Sequence, residues 1–190
     1  MPNSAVAVMI ARRLVVAGSI AFVAWLIVAF QLFFNVPVNT PHRTDAVIML
    51  GGASSERLPV AEKLKSDLGI PVLAVSHTGT PGNVSADELC NTLPRPDPSL
   101  VCLTLDENDT RGEARAIGKL VAEKGWGSVT VVTSRYHQIR AGTLISQCTT
   151  ADVQMFASDP ELSAGQWLRR FAIETGGLLD ALLRPECDSR

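Results

Sequence analysis

The first 40 residues contain neither Asp nor Glu, and their only basic side chains are Arg12 and Arg13. The other 150 residues therefore carry 15 basic and 19 acidic side chains, a net charge of −4, so the whole-chain figures of 46% hydrophobic, 19% charged and mean hydropathy +0.19 average two unlike regions. That much apolar residue excludes intrinsic disorder, and four cysteines in 190 residues are too few for a small disulfide scaffold. A pI of 5.9 with no basic run argues against nucleic acid as a partner. G-x-G-x-x-G, G-x-x-x-x-G-K, G-x-S-x-G and H-E-x-x-H are all missing, and with them the sequence support for a dinucleotide, a nucleoside triphosphate, a nucleophile-elbow hydrolase or a zincin. The three histidines lie far apart, which disfavours a zinc centre.

What the first region has instead is 21 uncharged residues from Leu14 to Phe34. At about 1.5 Å per residue a helix of this length crosses the roughly 30 Å hydrocarbon core once. Arg12 and Arg13 directly precede it, so the positive-inside rule predicts a cytoplasmic N-terminus and an extracytoplasmic remainder. A cleaved secretory signal is the alternative. Its apolar region usually runs only about 7–15 residues and ends in a small-x-small site, and Leu32 to Pro41 offers no Ala-x-Ala, so an uncleaved anchor is preferred. The implied division is 1–13 cytoplasmic, 14–34 transmembrane, 35–44 a polar, proline-bearing linker lifting the domain just off the membrane, and 45–190 an extracytoplasmic domain of ordinary single-core size.

Export changes the reading of Cys90, Cys102, Cys148 and Cys187, all of which follow the anchor and none of which forms a C-x-x-C pair. Disulfides are expected over free buried thiols. Of three connectivities, Cys90 with Cys102 and Cys148 with Cys187 is favoured: the first closes a short Pro-rich loop, the second pins the C-terminal tail.

Beyond the linker, runs rich in Val, Ile and Leu at Asp45–Leu50, Pro71–Ser76, Leu100–Leu105, Ser128–Ser134 and Asp152–Ala157 read as strands covered on both faces. Helical patterns follow at Ser55–Leu68, Ser85–Thr92, Thr110–Lys124, Tyr136–Gln147 and Ser163–Leu183. Thr110-x-x-Glu113 and Ser163-x-x-Gln166 read as capping boxes, and Gly69 and Gly125 as C-terminal caps. Five strand–helix alternations predict a three-layer α/β/α Rossmann-like domain with a mostly parallel sheet, preceded by one transmembrane helix.

In such a domain ligands bind beyond the carboxyl ends of the strands. The residues there are Gly51-Gly52 with Arg57, then Ser76-His77-Thr78-Gly79, then Glu107, Thr110, Arg111 and Glu113, then Ser134, His137 and Arg140. Gly51-Gly52 lets backbone approach a ligand closely, although a tight turn explains it as well. Ser134, His137 and Arg140, three residues apart, share one side of a helix start. His137 suits proton transfer near neutral pH, and Arg140 suits a bidentate grip on phosphate or carboxylate; a helix cap and a structural histidine are the plain alternatives. Glu107 is read as a partner for His137 across neighbouring strands or as a base itself, against an exposed loop carboxylate. Thr110 and Glu113 read first as a cap and second as ligand contacts.

The elements D-A-V-I-M-L-G-G at Asp45–Gly52, Arg57-Leu58, Glu88, D-E-N-D-T-R-G-E-A at Asp106–Ala114 and V-T-S-R-Y-H-Q-I-R-A at Val132–Ala141 together resemble the YdcF/ElyC/SanA-like family over about Asp45 to Thr175. The resemblance implies a Rossmann-like domain, often behind membrane helices, associated with envelope integrity and the metabolism of peptidoglycan or surface-polymer precursors. It marks Gly51, Gly52, Arg57, Glu88, Glu107, Thr110, Glu113, Ser134, His137 and Arg140 as a pocket, to which Ser76 and Arg111 are added as ligand-binding positions. The chain departs from the family at Ser76-His77-Thr78-Gly79, where a Ser-Gly-Gly-like turn is usual, and within Thr110-Arg111-Gly112-Glu113, where an Asn is common after the Thr. Those departures make His77 and Arg111 the residues to suspect of altering the substrate. The expectation is a membrane-anchored bacterial envelope protein at the plasma membrane. Its outward-facing pocket takes an anionic small molecule or lipid-linked precursor, as a hydrolase or transferase with His137 and Glu107 catalytic, or as a non-catalytic sensor or scaffold. The residues name no cofactor, no metal and no oligomeric state.

Overall fold

The computed structural model describes residues 4–37, 40–92 and 97–187. Helix α1 runs Ser4–Phe33; then β1 (Ala46–Met49), α2 (Ser54–Leu68), β2 (Val72–His77), α3 (Val84–Thr92), β3 (Leu100–Thr104), α4 (Thr110–Lys124), β4 (Ser128–Ser134), α5 (Gln138–Cys148), β5 (Asp152–Ser158) and α6 (Ala164–Leu183) follow. The five strands are parallel in the order β3-β2-β1-β4-β5. This is the Rossmann-like α/β/α sandwich expected from the alternation.

Strand β1 is central and wholly buried, because its side chains serve two cores in turn. Ala46, Ile48 and Leu50 face α4 and α5 with Ile117, Leu144 and Ile145, while Val47 and Met49 face the α2–α3 side with Ala61, Leu64 and Ala86. The order reverses between β1 and β4, so the loops after these two strands diverge and leave a crevice at their carboxyl ends.

Gly69 and Gly125 take the left-handed conformation at the ends of α2 and α4, and Ser163 with Gln166 forms the expected capping box on α6. The box at Thr110 does not form. Asp109, one residue earlier, caps α4 by accepting from the Gly112 N–H at 2.8 Å, and the Glu113 side chain turns inward. Helix α5 begins after a 3₁₀ turn at Arg135–His137, and Ser134 makes no side-chain cap. The disulfides are Cys90–Cys102 and Cys148–Cys187, the pairing favoured from loop lengths.

Val8–Phe33 of α1 is long and apolar enough to cross a membrane. Its last turns do not stand clear of the domain as a polar linker implies. Ala29 and Phe33 are buried with Tyr136 and Phe171, among Trp25, Leu26, Trp167 and Leu178, and the Trp25 indole N–H donates to Thr175 Oγ1 at 3.2 Å. Aromatic packing makes this contact, with Phe33 and Phe171 at 6.3 Å and Phe34 edge-on to Trp167 at 4.9 Å between ring centroids.

Candidate functional site

Where β1 ends, the chain turns through Gly51 and Gly52, and the Gly51 N–H donates to Glu113 Oε1 at 2.7 Å; the Ser76 hydroxyl donates to the same oxygen at 2.7 Å. Gly52 has φ +95°, a conformation other residues rarely adopt, and its N–H donates to Asn83 Oδ1 at 3.3 Å. Asn83 is held in turn by its own donation to the Ser76 carbonyl and to Asp87. A buried amide and a buried carboxylate thus fix the turn from behind. Burial raises the Glu113 pKa above the ordinary carboxylate range, against the pull of Ser76, Gly51 and the nearby Arg57 and Arg140.

Arg57, in the second turn of α2, is 4% exposed. Its Nε and Nη2 donate to Ser134 Oγ at 3.1 and 3.0 Å, and Nη1 to the carbonyls of Leu50 (3.1 Å) and Gly51. All of these acceptors are neutral, and among the described residues no carboxylate oxygen lies within 4.0 Å of the guanidinium. A buried cation without an ionic partner leaves positive potential on the cavity wall it lines.

Opposite, the 3₁₀ turn and α5 present His137 and Arg140 to Glu174 of α6. The Glu174 carboxylate, 1% exposed, accepts from Arg140 Nε at 2.7 Å and Nη2 at 3.1 Å and meets His137 Nδ1 at 3.2 Å. Burial would raise its pKa, but the hydrogen bonds from His137 and Arg140 win and hold it at about 2. His137 is pushed down from 6.5 mainly by burial, so near neutral pH its ring is neutral. An ionised acceptor at Nδ1 assigns the ring proton to that nitrogen, leaving a lone pair on Nε2. Nε2 lies 3.4 Å from Thr110 Oγ1, which already accepts from Arg140 Nη1 at 2.9 Å. The Thr110 hydroxyl hydrogen is thereby left to meet the Nε2 lone pair, and the carboxylate-oriented imidazole presents this basic nitrogen at the cavity wall, the arrangement of a general base.

These groups line a cavity of about 210 Å³ that also meets Thr78, Leu105, Asn108, Asp109, Tyr136 and Arg170. It is smaller than the roughly 300–1,000 Å³ usual for drug-sized ligands and fits a charged headgroup better than a dinucleotide. Arg170 stacks over the Tyr136 ring at 4.5 Å. Among the described residues no group of three or more His, Cys, Asp and Glu is placed to hold a metal ion.

Of the residues singled out in the sequence, Gly51, Gly52, Arg57, Thr110, Glu113, His137 and Arg140 come together around this cavity. Ser76 and Ser134 sit behind its wall, fully buried, and position Glu113 and Arg57. Glu107 does not reach it. Its side chain is 66% exposed and pairs with Arg115 at 2.9 Å, because α4 starts only after Asp109 and leaves residue 107 on the outer bend; the carboxylate beside His137 is Glu174. Glu88 lies exposed on α3, and the neighbouring Asp87 takes the inward position, accepting from the Thr78 N–H at 3.0 Å. Arg111 points to the tail, binding Asp180 (2.6 Å) and Glu186 (2.5 Å) next to the Cys187 disulfide. His77 lies 3.9 Å from Asp87, outside the residues that line the cavity.

Glu174, Arg170 and Tyr136 were not singled out in the sequence. A signal for Glu174 exists: it is the sole acid between Leu162 and Leu179 and falls on the stripe of Trp167, Phe171, Leu178 and Ala181 that α6 buries. An ionisable residue at a core position of an amphipathic helix asks for a buried partner. No protein-family model matches the chain, and no curated protein is found to be similar to it.

Proposed function

We propose that this is a membrane-anchored, extracytoplasmic YdcF/ElyC/SanA-like domain that binds the anionic headgroup of a lipid-linked envelope precursor and acts on it by acid–base chemistry. One observation carries the reading: two arginines, one of them without an ionic partner among the described residues, flank an imidazole whose proton is fixed by a buried carboxylate. Arg57 and Arg140 hold the anion. His137 then takes the proton of a water or acceptor hydroxyl whose oxygen bonds to the bound phosphorus while the P–O bond to the departing group breaks, and that group leaves protonated by solvent, which makes the domain a hydrolase or transferase. Two disulfides support an oxidising compartment, and Arg12 and Arg13 support a cytoplasmic N-terminus at the plasma membrane.

Calorimetric titration of the full chain with glycerol phosphate tests the binding half. Arg57→Met and Arg140→Lys should each weaken binding roughly 10–100-fold, as expected for a lost charge-assisted hydrogen bond of about 1.5–3 kcal/mol. Equal affinity in both variants, with their folds intact by circular dichroism, removes the arginines from the site.

A further inference from the structure

Neither the arginine grip nor proton transfer at His137 uses Glu113, a carboxyl 7% exposed on the cavity wall. Its two oxygens meet different surroundings. Oε1 accepts from the Gly51 N–H and the Ser76 hydroxyl, each at 2.7 Å. Oε2 has no hydrogen-bond partner among the described residues, yet it is not sealed in, because the buried side-chain atom that lacks a partner among them is Thr133 Oγ1. Oε2 therefore opens on the cavity that Glu113 lines. A proton on this carboxyl belongs on Oε2, since Oε1 already serves two donors.

No cation compensates the group directly. Among the described residues no Lys, Arg or His nitrogen lies within 4.0 Å of the Glu113 carboxylate. Arg57 of α2 and Arg140 of α5 act on it from farther away, the first engaged by Ser134 and two carbonyls, the second by Glu174 of α6 and Thr110. The His137 ring is neutral near neutral pH. Of the other charged groups nearby, Asp87 of α3 is held by Asn83 and the Thr78 N–H, Asp109 caps α4, and Arg170 of α6 stacks over Tyr136. Arg57, Arg140 and Glu174, two cations and one anion, leave one spare positive charge. An ionised Glu113 cancels that charge; a neutral Glu113 preserves it and adds a donor.

We infer that Glu113 enters the anion complex as the neutral acid, its Oε2–H donating to the bound phosphate group, so that anion binding takes up a proton from solvent whenever the free carboxyl is ionised. This inference deepens the proposed function and rests on the anion lying between Arg57 and Arg140. Burial already raises the Glu113 pKa in the free protein, and a neighbouring anion raises it further. Proton and anion therefore strengthen each other's binding by the same factor. Affinity is full while the carboxyl is protonated and falls as pH rises through the free-protein value, by at most about tenfold per pH unit for one proton.

The test is calorimetric titration of the full chain with dimethyl phosphate, a diester that stays singly charged, between pH 5 and pH 9. Paired buffers of unequal ionisation enthalpy count the protons taken up. In the native chain affinity should fall toward alkaline pH with a fractional proton uptake that approaches one, and the same limb should persist in His137→Ala. Glu113→Gln, whose amide donates at every pH, should bind with a pH-independent affinity and take up none. Native binding that is flat across the range without proton uptake overturns the inference while the anion site stands, as does an alkaline limb that survives Glu113→Gln. No binding by the native chain at any pH overturns the inference and the proposed function together. Should Glu113→Gln fail to fold, infrared difference spectra of the native chain decide: adding the diester at alkaline pH must convert a carboxylate band into a carboxylic-acid C=O band, and no such gain overturns the inference.

Discussion

Glu174→Ala should cost the domain about 3–5 kcal/mol, because it leaves the Arg140 cation and the His137 ring inside the protein without the acceptor that compensates them. For a chain of this size that lowers Tm by roughly 10 °C, read by differential scanning calorimetry of the detergent-solubilised protein. Glu174→Gln keeps the shape and one acceptor oxygen and should lose less. The pH dependence separates charge from packing. The Glu174 pKa falls from 4.5 to about 2 on folding, so its contribution is complete above the unfolded value and is lost as pH drops toward 2. Burial also lowers the pKa of His137, whose contribution is complete above 6.5 and shrinks as acid forces a proton onto the ring. Native stability should therefore decline in two stages below pH 6.5. Hydrogen bonds also lower the pKa values of Asp45, Asp97, Asp180 and Glu186, which share the lower stage, so Glu174→Gln should shrink it, and an unchanged acid limb would mean that Glu174 is not ionised in the fold. Glu113 works in the opposite direction: its raised pKa favours the folded state when protonated, and that advantage is lost as pH rises through the folded value.

His137→Ala should reduce turnover of a phosphate-bearing amphiphile by about 10²–10⁴-fold, the usual worth of a general base, while leaving binding within a few-fold of the native protein. The asymmetry follows from the geometry. Arg57 is fixed by Ser134 and two carbonyls, and Arg140 by Glu174 and Thr110, so neither arginine depends on the imidazole. Since burial keeps His137 neutral, the base form is populated at neutral pH, and the rate should be flat there and fall in acid. A rate unaffected by the substitution removes proton transfer from His137. A chain that binds such amphiphiles tightly and turns none over is a sensor or scaffold instead.

How far the sequence reaches is clear from individual residues. Strand β4 and helix α4 are found at the limits their patterns predict, because an unbroken Val-Thr run and a Gly-terminated amphipathic helix leave the chain little choice. His137 and Arg140 were legible through their three-residue spacing at a strand end. Glu107 misled because adjacency along a loop says little about where a side chain points: one residue of difference in the α4 cap sends it outward and turns Glu113 in. Glu174 was hidden for the complementary reason. It reaches His137 only when α6 packs against α5 and the turn before it, 37 residues later, and no local pattern encodes that meeting. The α1–α6 contact is of the same kind, since the aromatic residues that make it are also the ordinary content of a membrane span.

If Arg57 and Arg140 hold a phosphate-bearing amphiphile beside His137, that molecule should travel with the protein through purification. The most direct measurement is mass spectrometry of the lipids that co-purify with the full-length His137→Ala chain, in which binding is retained and turnover blocked. A phosphate-bearing, lipid-linked species should be enriched over the His137→Ala/Arg57→Met double variant. Equal recovery from both chains, or enrichment only of a species without an anionic headgroup, would contradict it.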